Sequence, residues 1–268
     1  MLSLKEIQYE EKEMLKCLIK FFDENNFKYY IWAGSLLGAV RHKGFIPWDD
    51  DIDLSMTRPE YDKLVKYIEI NGNKINNNLQ FVGYEIDGSY YPFLKLVNTN
   101  IKVTESTNTT KNLWIDIFPL DGIDSNINKS FKIHKKVWHI YMRICAAHYS
   151  NLPKRDSFKH FVKHYIYKVL RKIDLNYVIS KYIKHCKKYN YEECNTIGNI
   201  IWGFFNNPDY ITKDMLIDKE YDFEDLRVNG IKDYDTFLKR SYGDYMVLPP
   251  IEKRATHNFK AWRINNEN

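Results

Sequence analysis

Asp51 and Asp53 alternate with Ile52 and Leu54 at the end of the run Trp48-Asp49-Asp50-Asp51-Ile52-Asp53-Leu54. A period of two predicts a strand, here over 51–56, and residues two apart on a strand share a face. Both carboxylates then point the same way while the apolar pair packs behind them. Paired hard oxygen donors suit Mg²⁺ or Mn²⁺ that also holds a substrate phosphate. A bare Asp-x-Asp is otherwise a solvated acidic loop capping a helix, and here the apolar setting and the upstream Gly34-Ser35 favour a site. Four aspartates, Asp49, Asp50, Asp51 and Asp53, repel one another and resist desolvation, so together they call for a cation. Asp49 and Asp50 either steer that cation or fix the loop by capping.

Gly34 and Ser35 close an apolar run, 27–33, that reads as a strand. Glycine lets backbone approach a ligand, and a helix opening at Ser35 offers free N–H groups and its positive end to an anion. Asp116 is a third candidate: a single carboxylate between Ile115 and Ile117 in the otherwise apolar strand 113–121. A buried lone Asp is costly without a cation or donors, which is met if Asp116 faces Asp51 and Asp53, or if backbone groups or an arginine satisfy it. Lys95, between Leu94 and Leu96, faces solvent unless its strand borders the acidic one, where it reaches a phosphate. Arg41 is either a charge neutraliser in the site or a cation completing a helix C-terminus.

The elements that position these groups can be read in order. Leu4, Ile7, Met14, Leu15, Leu18, Ile19 and Phe22 make one face of a packing helix over 3–24. Pro59 suits the first turn of a helix running to about Ile70, and an Asn-rich loop follows. Strands are expected at 79–85, 91–97 and 101–105. Two apolar sets at helical spacing, Ile133 to Ile144 and Phe158 to Ile173, predict helices within 129–190, parted at Pro153. Beyond Pro208, 221–228 reads as a strand with a turn at Asn229-Gly230, and Asp233 caps a helix through Tyr242.

With 268 residues and 44% hydrophobic content, the chain has enough apolar surface for a packed core and lacks a disorder signature. No apolar run is long enough to span a bilayer, and the first residues lack a signal-peptide pattern. A soluble or peripheral, cytoplasmic protein is expected, with Cys17, Cys145, Cys186 and Cys194 reduced. The net charge of +5 hides an asymmetry: from Lys129 to Lys188 there are 16 Lys and Arg against 2 acidic residues, a local net of +14, which leaves −9 elsewhere. Such a basic amphipathic span suits an anionic headgroup layer or a phosphate-bearing polymer, or is a solvated face. No nucleic-acid module accompanies it, so nucleic acid is not expected.

Gly34-Ser35 followed by Asp51-Ile52-Asp53-Leu54 resembles the signature of the nucleotidyltransferase superfamily. The fuller string from Gly34 through Arg41, His42 and Pro47 to Asp53 resembles the LicD family of phosphocholine transferases, to which fukutin-type polyol-phosphate transferases are related. Phe118-Pro119-Leu120-Asp121 after Asp116, and the tail from Tyr242 through Pro249-Pro250 to Arg254 and His257, extend the likeness. The chain departs from the pattern at Trp32 and at Asn258, where a second histidine is frequent.

The resemblance implies an α+β fold: a nucleotidyltransferase-like mixed sheet core with flanking helices over 1–125, a basic helical insert at 126–205 and a C-terminal segment, 206–268, completing the site. It implies Mg²⁺ or Mn²⁺ held by Asp51, Asp53 and Asp116, with Asp116 binding metal or deprotonating the acceptor hydroxyl. Gly34, Ser35, Lys95 and His257 would serve the donor, with Arg41 beside the chemistry. The donor would be CDP-choline or another CDP-alcohol, such as CDP-ribitol or CDP-glycerol. The acceptor would be a hydroxyl of a cell-surface glycan, such as a teichoic acid or lipopolysaccharide precursor, reached at the inner face of the membrane. Trp48, Tyr84, Tyr90, Tyr91 and Trp114 lie near the site in sequence and either form an aromatic cage for choline or belong to the core. A silent scaffold tethered by its basic helices is the non-enzymatic alternative.

Overall fold

The structure is a computed structural model and describes residues 1–104, 110–154, 156–202, 209–254 and 259–264. Helix α1 (Leu4–Glu24) is held at its start by reciprocal bonds between Ser3 and Glu6. Its apolar stripe, including Met14, Leu15, Leu18 and Phe22, is buried. Next come β1 (Tyr30–Ile31), α2 (Ala33–His42), β2 (Asp53–Thr57) and α3 (Arg58–Asn71), whose first turn carries Pro59. β3 (Leu79–Val82), the short α4 (Tyr84–Asp87), β4 (Leu94–Thr104) and β5 (Thr110–Ile123) complete the first half.

The main sheet runs β1-β2-β5-β4, with β10 (Lys260–Arg263) at its edge and β3 also on β4. β6 (Thr196–Gly198) and β7 (Tyr210–Thr212) extend it from the far end of β5. β2 and β5 run parallel, while the other pairs among the described residues are antiparallel. The result is an α+β fold around a mixed sheet. α1 packs across β5 and α3 against β2 and β5, enclosing a core that includes Phe22, Trp32, Tyr61 and Phe81.

Three helices fill the basic span: α5 (Ile127–Tyr149), α6 (Phe158–Leu170) and α7 (Leu175–Cys186), capped by Asn126, Ser157 and Asp174. α5 and α7 share a second core with Phe93 and Phe118, in which the Tyr141 and Tyr182 rings stack 4.0 Å apart. α6 packs on α5 and leaves its apolar side in water. The remaining elements are a hairpin of β8 (Asp218–Phe223) and β9 (Leu226–Ile231), lying against α2 and β1, and α8 (Tyr234–Tyr242), capped by Asp233 as expected.

Several sequence expectations are corrected. The strand expected over 27–33 is reduced to two residues because helix α2 begins at Ala33, so Gly34-Ser35 lies inside its first turn rather than before it. The strand expected over 79–85 ends at Val82, and those expected at 91–97 and 101–105 are one continuous β4 with a register shift after Asn98. The hairpin turns at Glu224, in the left-handed region at φ 56°, and not at Asn229-Gly230. Gly230 sits within β9, where a Cβ would come within 2.8 Å of the Tyr221 ring. Close packing, not a turn, requires that glycine.

Candidate active site

Strand register assembles the site. Asp53 on β2 lies directly opposite Asp116 on β5, and Asp116 opposite Lys95 on β4. Directly paired residues share a face, so two carboxylates and an ammonium stand in a row across three strands. Lys95 is buried, not solvent-facing, and its Nζ lies 2.5 Å from Asp116 Oδ1.

The acidic loop meets this row at the start of α2. The Ser35 hydroxyl accepts a hydrogen bond from the Asp53 N–H at 2.9 Å, and the Trp32 N–H donates to the Asp53 carbonyl at 2.9 Å. Ser35 is thereby a clamp between helix and strand. A Cβ on Gly34 would stand 3.2 Å from Asp49 Oδ2, so glycine lets the helix terminus close on the loop. From below, Gln8 of α1 donates to the Asp49 carbonyl at 2.8 Å.

Ligand oxygens of Asp49, Asp50 and Asp51 all lie within 4.8 Å of one another. Among the described residues this is the only such group: the expected set of Asp51, Asp53 and Asp116 does not form one, and Asp49 and Asp50, which the sequence left between steering and capping, stand beside Asp51 instead. Hard carboxylate oxygens crowded beside a helix N-terminus fit Mg²⁺ or Mn²⁺. The electrostatics agree: loss of water, then the charges of Asp51, Asp116 and Asp49, push the Asp53 carboxyl well above the ordinary carboxylate range, and Lys95 offsets only part of this. Glu11, one turn beyond Gln8, is buried and raised by the same causes, burial first and then Asp51 and Asp50. Sequence reasoning missed it because it sits among the charged positions of an otherwise ordinary amphipathic helix.

Asp51, Asp53, Asp116 and Lys95 line one cavity of about 540 Å³, and Ala33 brings the start of α2 to its wall. The opposite wall is aromatic. The Tyr90 ring is tilted against Tyr91 and Tyr149, with centroids 4.2 and 4.4 Å away, and Phe93 meets Trp202 at 5.4 Å. The Lys95 ammonium lies 4.6 Å from the Tyr91 and Trp114 ring centroids. Lys111 approaches Tyr90 and Tyr91 at 5.8 Å. Of the five aromatic residues proposed from sequence, Tyr90, Tyr91 and Trp114 reach the cavity; Trp48 instead carries the Arg254 guanidinium, and Tyr84 donates to the Asn176 carbonyl.

Asp209 also lines the cavity and was not anticipated; it accepts from Trp32 Nε1 at 2.9 Å, and desolvation raises its carboxyl to about 7. That bond gives the unusual Trp32 a purpose. Arg41 is not at the cavity: its guanidinium donates to His42 Nε2 and to the Tyr245 carbonyl. His257 lies outside the described residues. The four cysteines are free thiols, Cys145 on the cavity wall. No described helix is long and apolar enough to cross a membrane.

Residues 26–156 match the family model described as LicD/FKTN/FKRP, nucleotidyltransferase domain. The chain is 25% identical over 268 residues to the lipopolysaccharide cholinephosphotransferase LicD of Haemophilus influenzae, covering 97% of each chain. It is 27% identical over 115 residues to human ribitol 5-phosphate transferase FKRP, covering 42% of this chain and 21% of that one. An uncharacterised Rickettsia typhi protein is 36% identical over 74 residues, covering 28% of this chain and 21% of the relative.

Proposed function

Since residues 26–156 carry a nucleotidyltransferase domain of the LicD/FKTN/FKRP family, we propose that the chain transfers a phospho-alcohol group from a CDP-activated donor to a hydroxyl of a cell-surface glycan. The observation that carries this is the row Asp53, Asp116, Lys95, set by strand pairing beside an acidic loop and a helix N-terminus. Asp49, Asp50, Asp51 and Asp53 would hold Mg²⁺ or Mn²⁺. When bound, such an ion neutralises charge on the donor's diphosphate and on the departing nucleotide.

The chain's own groups do the rest. N–H groups at the start of α2 receive donor phosphate oxygens, and Ser35 holds that terminus against β2. Asp116 takes the proton from the acceptor hydroxyl as its oxygen attacks the phosphorus bearing the alcohol. The bond from that phosphorus to the CMP oxygen breaks, and CMP leaves with the electron pair. Lys95, already beside Asp116, balances the charge gathered there. Arg41 has no part in this scheme.

Choline is the favoured alcohol. Cation–π attraction favours a cation over an aromatic face within about 6 Å, and the wall formed by Tyr90, Tyr91, Trp114 and Tyr149 already receives two lysine ammonium groups. The full-length likeness to the Haemophilus influenzae cholinephosphotransferase supports the same choice. The shorter likeness to FKRP makes ribitol the competing donor alcohol. A lipopolysaccharide or teichoic acid precursor at the inner membrane face is the acceptor class. Isothermal titration in Mg²⁺ decides the donor: tighter binding of CDP-choline than of CDP-ribitol is expected, and the reverse order assigns the cavity to a polyol.

A further inference from the structure

Helix α6 is amphipathic in the wrong direction for a helix of a free-standing globule. Phe158, Phe161, Val162, Tyr165, Ile166 and Val169 recur at the spacing of one helical face, and each is between 40% and 84% exposed. The side turned to the protein carries His164, with Tyr167 and Leu170 half-buried beside it. His164, the one buried residue of the helix, donates through Nδ1 to the Pro153 carbonyl at 2.8 Å. Arg171, just past the helix, donates to the Ala147 and Ser150 carbonyls, both at 2.6 Å. The helix is thus fastened through the hydrogen bonds of His164 and Arg171, and its six-residue apolar arc is presented outward. Advancing 100° per residue, Lys168 flanks the apolar arc on one side and Lys159 and Lys163 flank it on the other, all exposed.

We propose that α6 is an interfacial anchor that lays its apolar face into the headgroup boundary of an anionic bilayer. An apolar arc containing aromatic residues and flanked by lysines is the composition of helices that lie in that plane. The surrounding span carries a net of +14 from Lys129 to Lys188, matching an anionic leaflet. Charge opposes a second copy of the chain as the cover, because lysine rims would then meet lysine rims. A nucleic acid would engage the lysines and leave the six apolar residues in water. At 13 residues the helix spans about 20 Å along its axis, suited to lying on a membrane and too short to cross one.

Arg171 links this anchor to the cavity, since Ser150 and the neighbouring Tyr149 line its wall. Docking by α6 would hold the cavity beside the lipid surface; the use of that position for a lipid-linked acceptor rests on the transfer function proposed above, but the docking itself does not. The test uses the full chain and flotation with vesicles of phosphatidylcholine alone or mixed with phosphatidylglycerol. The wild type is expected to partition to the mixed vesicles, and Phe161→Glu/Ile166→Glu to do so at least tenfold less with an unchanged melting midpoint. Lys159→Gln/Lys163→Gln/Lys168→Gln should lose about fivefold per lysine, an effect that fades with salt. The proposal is overturned if the wild type ignores anionic vesicles, or if the acidic pair partitions like the wild type. It is equally overturned if the wild type sediments as a dimer that this pair splits, which would make a second copy the cover.

Discussion

The sheet face around Asp116 and the outer face of α6 invert the usual arrangement in opposite ways. The first gathers carboxylates and an ammonium inside the protein, where their immediate chain neighbours Ile52, Leu54, Leu94, Leu96, Ile115 and Ile117 are buried apolar residues. The second puts aromatic and aliphatic side chains in water on a helix whose buried residue is a histidine. Both cost stability in isolation, one through desolvated charge and the other through exposed apolar area. In the proposals above, each would be offset by something outside the chain: a divalent ion with a phosphorylated donor at the first, a lipid surface at the second. A different device appears at Arg58 and Asp121, a buried pair bonded through two contacts of 2.6 and 2.8 Å. There the chain supplies both charges, so that site is closed and structural.

The largest test of this contrast is Asp53→Asn. Transfer should fall about a thousandfold or more, while the melting midpoint holds or rises, because a carboxyl crowded by like charges is removed. A drop in midpoint matching the lost activity would make Asp53 structural. Asp121→Ala should do the opposite, costing about 3–5 kcal/mol in urea unfolding because Arg58 is left buried without its partner. Next in size is Tyr149→Ala, at a ring that is 48% exposed. Affinity for CDP-choline should fall about two- to thirtyfold, the range of a cation–π contact from exposed to desolvated, with CDP-ribitol little changed; equal losses for both donors would remove the choline cage.

The smallest effect concerns pH. The Asp209 carboxyl is raised by desolvation to about 7 in the folded protein from an ordinary 3.8. A raised acid favours folding fully below its unfolded value, and that contribution is lost as pH climbs toward 7. Thermal melts between pH 4 and 7 should therefore be flatter for Asp209→Asn than for the wild type.

Much of the site was legible because its signals are local. Asp51 and Asp53 announce themselves by alternation with Ile52 and Leu54, which are fully buried, and Asp116 by its apolar neighbours. Lys95 was harder: a lone lysine on a strand is normally wet, and only the pairing of β4 with β5 places it against Asp116. Register is a long-range property with no mark in a single strand's composition. The same limit hid Tyr141 and Tyr149, which reach the cavity from α5, and Trp202, which reaches it from the turn after β6. Periodicity located α6 but carries no sign, so it did not show that the apolar face points outward. Gly34-Ser35 looked like a turn because glycine usually ends a strand; here Ala33, at φ 46°, makes the bend one residue earlier.

The central claim is that this acidic row uses a divalent ion to move a phospho-alcohol group. The direct measurement is CMP release from CDP-choline and CDP-ribitol by the purified chain with a glycan acceptor, in Mg²⁺ and again in EDTA. CMP should appear in Mg²⁺, mainly from CDP-choline, and stop in EDTA. CMP formed equally in EDTA, or none from either donor, would contradict it.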